Sequence, residues 1–210
     1  ADPNKSSASG AERLKDAGIK IETEICPDAC AQLISPFRKF ILTKQPWVVH
    51  KLAYRYSDHT LVLTPPNGKT TFTSEESLKI AHLERKHSDA ILTSVETVSA
   101  DQPLFTVRKV QDYLGKNRYL AVLSKRDQPI PQEWLERQIK LGFNVIHYTD
   151  IADALTDLGS KGVLQVLVEA GSRLSEVVIK EKLWDERLVF ISGLQADDIC
   201  FREFASRGTS

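Results

Sequence analysis

89-DAILTSVETVSADQPLFTVR-108 packs a buried strand, a tight turn and a charged end into twenty residues. Ala90-Ile91-Leu92 is apolar, long enough for a core strand and too short for a helix, and it follows a long amphipathic segment. Thr93, Ser94 and Thr97 then bring hydroxyls. Ala100-Asp101-Gln102-Pro103 reads as a turn in which Pro103 ends any helix, and Leu104 to Val107 reads as a second short strand closed by Arg108. Ligands of open α/β sheets sit outside the carboxyl ends of the strands, so the hydroxyls and the acid past Leu92 fall where a ligand crevice is expected. The plainer reading of the same residues has Asp101 capping a turn and Thr97 capping a one-turn helix.

Upstream, Thr73-Ser74-Glu75-Glu76 has the form of a capping box, with Thr73 as N-cap and Glu76 at N3. It opens a helix to about His87 whose Leu78, Ala81 and Leu83 face the sheet. Before it come a short strand at Leu61 to Leu63, the turn Pro65-Pro66-Asn67-Gly68, and Trp47 to Tyr54 (WVVHKLAY), rich in β-formers and expected as a central strand. Asp28 to Thr43 carries Cys30, Leu33, Ile34, Phe37, Phe40 and Ile41 at helical spacing around Pro36, which predicts a kinked helix or two short ones. Ala11 to Ala17 gives two helical turns stopped by Gly18, and Ile19, Ile21 and Ile25 then alternate as in a short strand. With the small, polar residues 1–10 ahead of it, the stretch 1–25 is expected to be a linker or the tail of a preceding domain, and 26–210 the main domain.

Downstream the pattern predicts a strand at Tyr119 to Leu123, a helix near Gln132 to Leu141, a strand at Phe143 to His147, and a helix from Ile151 to Leu158 stopped by Gly159. Val163 to Val168 is the clearest buried parallel strand. A helix from Ser172 to about Lys182 follows, then closing strands at Arg187 to Ser192 and Ile199 to Phe204. Strands alternating with helices predict an α/β fold with a mostly parallel sheet covered on both faces, its last two strands antiparallel.

Composition removes several function classes. Twenty-eight basic residues balance twenty-eight acidic ones, so the electropositive footprint of a nucleic-acid binder is absent. No apolar run approaches the roughly 20 residues that cross a bilayer, and a cytoplasmic location is the expectation. Cys26 and Cys30, four apart with no neighbouring His, fall short of a zinc site, and no metal is expected. No Ser stands in a GxSxG turn, so a hydrolase triad has no support. A chain with no Met is expected to be cut from a longer polypeptide or processed.

Two spots carry chemistry. At Glu169-Ala170-Gly171-Ser172 a strand ends in a carboxylate and a small-residue turn opens a helix, which suits a phosphate, although the three glycines of the dinucleotide fingerprint are missing. Capping alone also explains that turn. Arg85 and Arg108 are the candidate anion binders, since a guanidinium fork grips a phosphate in two directions. Arg85 can equally belong to a solvated helix end with Glu84, Lys86 and His87.

Taken together these residues resemble the reductase domain of the RibD-type riboflavin biosynthesis proteins. Ala1-Asp2-Pro3-Asn4, Gly10 and Glu12 to Ile19 look like the end of the deaminase domain that precedes it. Lys51-Leu52-Ala53 is similar to the first reductase strand. Ser88 to Ser94 through Thr97-Val98 and Ala100-Asp101 to Arg108 is close to the central signature, and Val168-Glu169-Ala170-Gly171 with Leu174 matches the late strand-turn-helix. The resemblance implies a three-layer, dihydrofolate-reductase-like α/β fold, a homodimer, and fusion to a deaminase domain in the native chain. It implies NADPH-dependent reduction of the ribosyl group of a phosphoribosylamino-pyrimidine to the ribityl form. By position, Ala53, Thr71, Ser94, Thr97, Asp101, Gly171 and Ser172 would contact the cofactor, and Arg85, Phe105, Arg108 and Glu169 the substrate and its phosphate. Asp101 would be proton donor or orienter. Three stretches depart from the family pattern: Tyr54 to His59 lacks the usual glycine turn, Lys69 and Thr71 stand where Ser and Trp are usual, and the Pro- and Gly-bearing loop after Ile191-Ser192 is missing or short. Those departures leave two alternatives, a catalytically degenerate dimerisation scaffold and a reductase of another pyrimidine- or pterin-like substrate.

Overall fold

A computed structural model describes residues 9–57, 60–63, 74–125, 127–193 and 198–205. The Pro65 to Gly68 turn, Lys69, Thr71 and Thr73 lie outside the described residues. In chain order the elements are α1 (Gly10–Asp16), α2 (Pro27–Leu33), α3 (Ser35–Thr43), β1 (Trp47–Ser57), β2 (Thr60–Leu63), α4 (Glu75–His87), β3 (Ala90–Ser94), α5 (Val95–Asp101), β4 (Arg118–Leu123), α6 (Gln132–Lys140), β5 (Phe143–Tyr148), α7 (Ile151–Ser160), β6 (Gln165–Val168), α8 (Ser172–Lys180), β7 (Glu186–Ser192) and β8 (Ile199–Phe204).

The strands form one sheet in the order β5-β4-β3-β6-β1-β7-β8, with β2 pairing on β1. All neighbours along that path are parallel except β7 and β8, and β2 is antiparallel to β1. The fold is therefore the expected α/β class, with a mostly parallel sheet and antiparallel closing strands. Period-two alternation divides its core. Val48, Ala90, Leu92, Ala121, Val166 and Val168 pack with Leu155, Leu158 and Val178 of α7 and α8. Their strand neighbours Val49, Ile91, Leu120, Val122 and Leu167 face the opposite side, toward Ala81 of α4, Val95 and Val98 of α5 and Trp134 of α6. Burial on both faces is why these strands read as continuous apolar runs.

Five local expectations change. Leu83, expected on the sheet-facing side of α4 with Ala81, is exposed, and His82 and Glu84 are buried instead. The N-cap of α4 is Ser74, whose hydroxyl accepts the Ser77 N–H, one residue after the Thr73 expected from the capping box. Residues 104–107 are not a strand: Phe105 has φ +56° and turns the chain while burying its ring edge-on to Trp134, with centroids 6.4 Å apart. No strand forms at Ile19 to Ile25, where Ile19 and Ile25 are exposed. Gly159 does not stop α7 but lies inside it. A Cβ there would stand 2.2 Å from the Lys44 carbonyl oxygen, so the glycine marks a close approach of helix to backbone. The helix ends at Ser160, with Lys161 as its C-cap before Gly162 at φ +80°. The kinked helix around Pro36 resolves into α2 and α3, with Pro36 in the first turn of α3.

Candidate functional site

β1 pairs with β6 only from Trp47 to His50, opposite Gln165 to Val168, and then runs on past the end of β6. Lys51 is thus the next residue out on β1, as Glu169 is on β6, and the two meet. Trp47, Val49 and Lys51 share the strand face that meets α4, whose last turn supplies Arg85.

Glu169 is 6% exposed and takes both cations at once. Arg85 grips it with two donors, Nε to Oε1 at 2.5 Å and Nη2 to Oε2 at 2.9 Å, while Lys51 Nζ bonds Oε2. The side chains of Lys51 and Arg85 are only 15% and 13% exposed. Burial alone would raise the Glu169 carboxyl, but the charges of Arg85 and Lys51 overcome it and hold the group well below the usual carboxylate range. Burial also pulls the Lys51 ammonium below its ordinary range, opposed by Glu169 and reinforced by Arg85. Arg85 is further fixed by the Thr106 carbonyl, accepting at 3.3 Å, and by the Phe105 ring, whose centroid is 5.8 Å away. Two cations on one carboxylate leave a local charge of plus one, which favours an anionic or carbonyl-bearing ligand.

Beside this cluster, two turns are clasped together. Ser94 ends β3 and N-caps α5, accepting the Thr97 N–H at 3.3 Å, and its hydroxyl is 3.2 Å from Thr97 Oγ1. Thr97 Oγ1 then accepts the Gly171 N–H at 3.0 Å across the sheet ends. A Cβ on Gly171 would touch that same oxygen at 3.4 Å. Gly171 is the N-cap of α8, so the positive end of that helix opens beside the Thr97 clasp, and Ser172 is exposed as its first residue.

Of the remaining candidates, Ala53 is half-buried on the extended part of β1, level with Phe190 of β7. Asp101 is exposed and ends α5, one helical turn beyond Thr97. Arg108 is exposed, its Nη1 donating to Thr106 Oγ1 at 3.2 Å and its backbone N–H to His82 Nδ1 at 2.8 Å. Burial, then the charges of Arg85 and Arg108, push the His82 ring down to about 4, so it stays neutral and accepts through Nδ1. Arg85, Phe105, Glu169 and the Thr106 backbone are brought together. Arg108 joins them through Thr106 and, by its backbone, through His82, and Arg85 spends its fork on Glu169. Thr71 lies outside the described residues.

Three residues here were not among the sequence-based candidates: Lys51, His50 and His82. A charged residue in phase with Trp47 and Val49 on an otherwise apolar strand face was the available signal for Lys51.

The chain matches the family model described as RibD C-terminal domain over residues 62–194. It is 26% identical to riboflavin biosynthesis protein RibD of Aquifex aeolicus, over 96% of this chain and 63% of that protein. Against RibD of Corynebacterium ammoniagenes it is 27% identical over 88% of this chain and 54% of that protein. Among solved structures, Acinetobacter baumannii RibD superimposes with a TM-score of 0.67 at 25% identity, over 100% of this chain and 64% of that one. A Thermotoga maritima diaminohydroxyphosphoribosylaminopyrimidine deaminase/5-amino-6-(5-phosphoribosylamino)uracil reductase shares the fold with a TM-score of 0.70 at 20% identity, over 91% of this chain and 57% of that one. The chain spans less than two thirds of the length of these relatives.

Proposed function

We propose, from the premise that this chain belongs to the RibD C-terminal domain family, that it reduces the ribosyl group of 5-amino-6-(5-phosphoribosylamino)uracil to ribityl with NADPH in riboflavin biosynthesis. The observation that carries this reading is the buried Lys51–Glu169–Arg85 cluster beside the Thr97–Gly171 clasp, a proton-holding site next to a helix start suited to phosphate. The residues fit a nicotinamide dinucleotide: Gly171 opens α8 with no side chain of its own, Thr97 holds its N–H from α5, and Ala53 lies on the part of β1 that runs past β6. When bound, the reduced nicotinamide supplies a hydride.

Ribosyl-to-ribityl reduction adds that hydride to the anomeric carbon and a proton to the oxygen released from the ring. Lys51 is the proton source, because it is buried, held in place by Glu169 and made a stronger acid by its surroundings. Asp101, exposed at the end of α5, orients rather than donates. Arg85 fixes Glu169, Glu169 fixes Lys51 and accepts from the pyrimidine, and Arg108 takes the substrate phosphate. A homodimer and fusion to a deaminase domain within a longer chain belong to the same proposal. No helix among the described residues is long and apolar enough to cross a membrane.

The test is fluorescence titration of the chain with NADPH, with NADH alongside. Saturable binding with preference for NADPH is expected, and no binding up to millimolar cofactor removes the enzyme reading. A second reading, a reductase of a non-phosphorylated heterocycle, is favoured by one observation: the Arg85 fork is already occupied by Glu169. Arg108→Glu separates the two. A phosphorylated substrate is expected to lose about 1.5–3 kcal/mol of binding, read as a raised KM, whereas a non-phosphorylated one barely changes.

A further inference from the structure

His50 is wholly buried on the β1 face that meets α8, back to back with Lys51 on the other face. Its Nε2 stands 3.1 Å from Ser175 Oγ, and Ser175 Oγ donates to the Ala170 carbonyl at 3.4 Å. Because that hydroxyl gives its one proton to the carbonyl, it accepts from the ring, which makes His50 the Nε2–H tautomer. Nδ1 then carries a lone pair, and it is buried with no partner among the described residues. Burial, and after it Arg187 on the neighbouring strand, push the ring down to about 4, so it stays neutral. A leucine would pack such a site without leaving a polar atom unsatisfied. The imidazole therefore has work other than packing.

That work is at one peptide group. The Ala170 carbonyl and the Gly171 N–H belong to the same peptide unit. Ser175, backed by His50, holds its oxygen, and Thr97 holds its N–H at 3.0 Å. The plane is pinned from both edges, by α8 and β1 on one side and α5 on the other. Its orientation sets where the first-turn N–H groups that follow, at Ser172 to Leu174, are presented.

We propose that His50 and Ser175 are positioning residues that, with Thr97, lock the Ala170–Gly171 peptide plane so that the start of α8 is preformed for the diphosphate of a nicotinamide dinucleotide. The inference rests on the reductase reading and adds to it two residues that need not touch cofactor or substrate. The test measures NADPH affinity and urea stability on the full chain for His50→Leu, His50→Gln, Ser175→Ala and the His50→Leu/Ser175→Ala double variant. His50→Leu and Ser175→Ala are each expected to weaken NADPH roughly ten-fold, about the worth of one hydrogen bond. The double variant is expected to be no worse than the singles, and His50→Gln, which keeps an N–H near the Nε2 position, to recover most of the affinity. Ser175→Ala removes a single oxygen and keeps the test open if His50→Leu fails to fold. Parental affinity in both single variants overturns the inference alone, as does a loss of affinity that His50→Gln fails to restore. Absence of NADPH binding by the unaltered chain overturns the reductase reading and this inference with it.

Discussion

Glu169→Ala is expected to remove about 3–5 kcal/mol of folding stability. The reason is what it leaves behind. Lys51 and Arg85 converge on this carboxylate from β1 and α4, both mostly buried, and without it two like charges face each other across the space it filled. Urea unfolding at neutral pH measures the loss. The same group sets an acid limit. Its folded-state pKa lies below the unfolded value of about 4.3, so the stability it contributes is fully present above that value and is lost as pH falls through and below it. The variant should therefore show a flatter stability profile on the acid side than the parent. A variant as stable as the parent at neutral pH, with the same acid slope, would show that the cluster contributes nothing to the fold.

Lys51→Met is expected to lower kcat about 10²–10⁴-fold, the usual contribution of a positioned proton donor, while leaving NADPH affinity near that of the parent. Methionine keeps the apolar stem and leaves Arg85 in its bidentate grip on Glu169, so the carboxylate is still paired. Asp101→Asn is expected to have a smaller effect on kcat, because Asp101 is exposed and outside the ion cluster. Rapid-mixing measurement of NADPH oxidation under saturating substrate compares the two. The opposite ranking, with Asp101→Asn the more damaging, would move the proton to Asp101 and leave Lys51 as an electrostatic support.

The strands were legible because burial on both faces writes them as short apolar runs, as at Ala90 to Leu92 and Tyr119 to Leu123, and helices with one apolar stripe were legible by period. Glycine and proline were less transparent. Gly159 reads as a stop by composition, yet it sits inside α7 because the Lys44 carbonyl leaves no room for a side chain. Leu104 to Val107 has strand composition, but Phe105 adopts a left-handed conformation, and tertiary packing of its ring decides the segment. The site was legible in pieces. Ser94, Thr97, Glu169 and Gly171 could be named from strand ends and from resemblance, whereas their mutual bonds could not. Lys51 and Arg85 lie 118 and 84 positions from Glu169, and only the strand order β3-β6-β1 brings them together. His50 was invisible for the same reason, since its partner Ser175 is 125 residues away on a helix whose packing face the sequence did not specify.

The most direct test of the central claim is to follow NADPH oxidation by the purified chain on addition of 5-amino-6-(5-phosphoribosylamino)uracil and to identify the product by mass. Saturable oxidation that yields the ribitylamino compound, two hydrogens heavier than the substrate, is the result expected of a reductase built around Lys51 and Glu169. Tight NADPH binding with no substrate-dependent oxidation would contradict it, and would mark this chain as a family member that has kept the fold and the nucleotide turn but lost the chemistry.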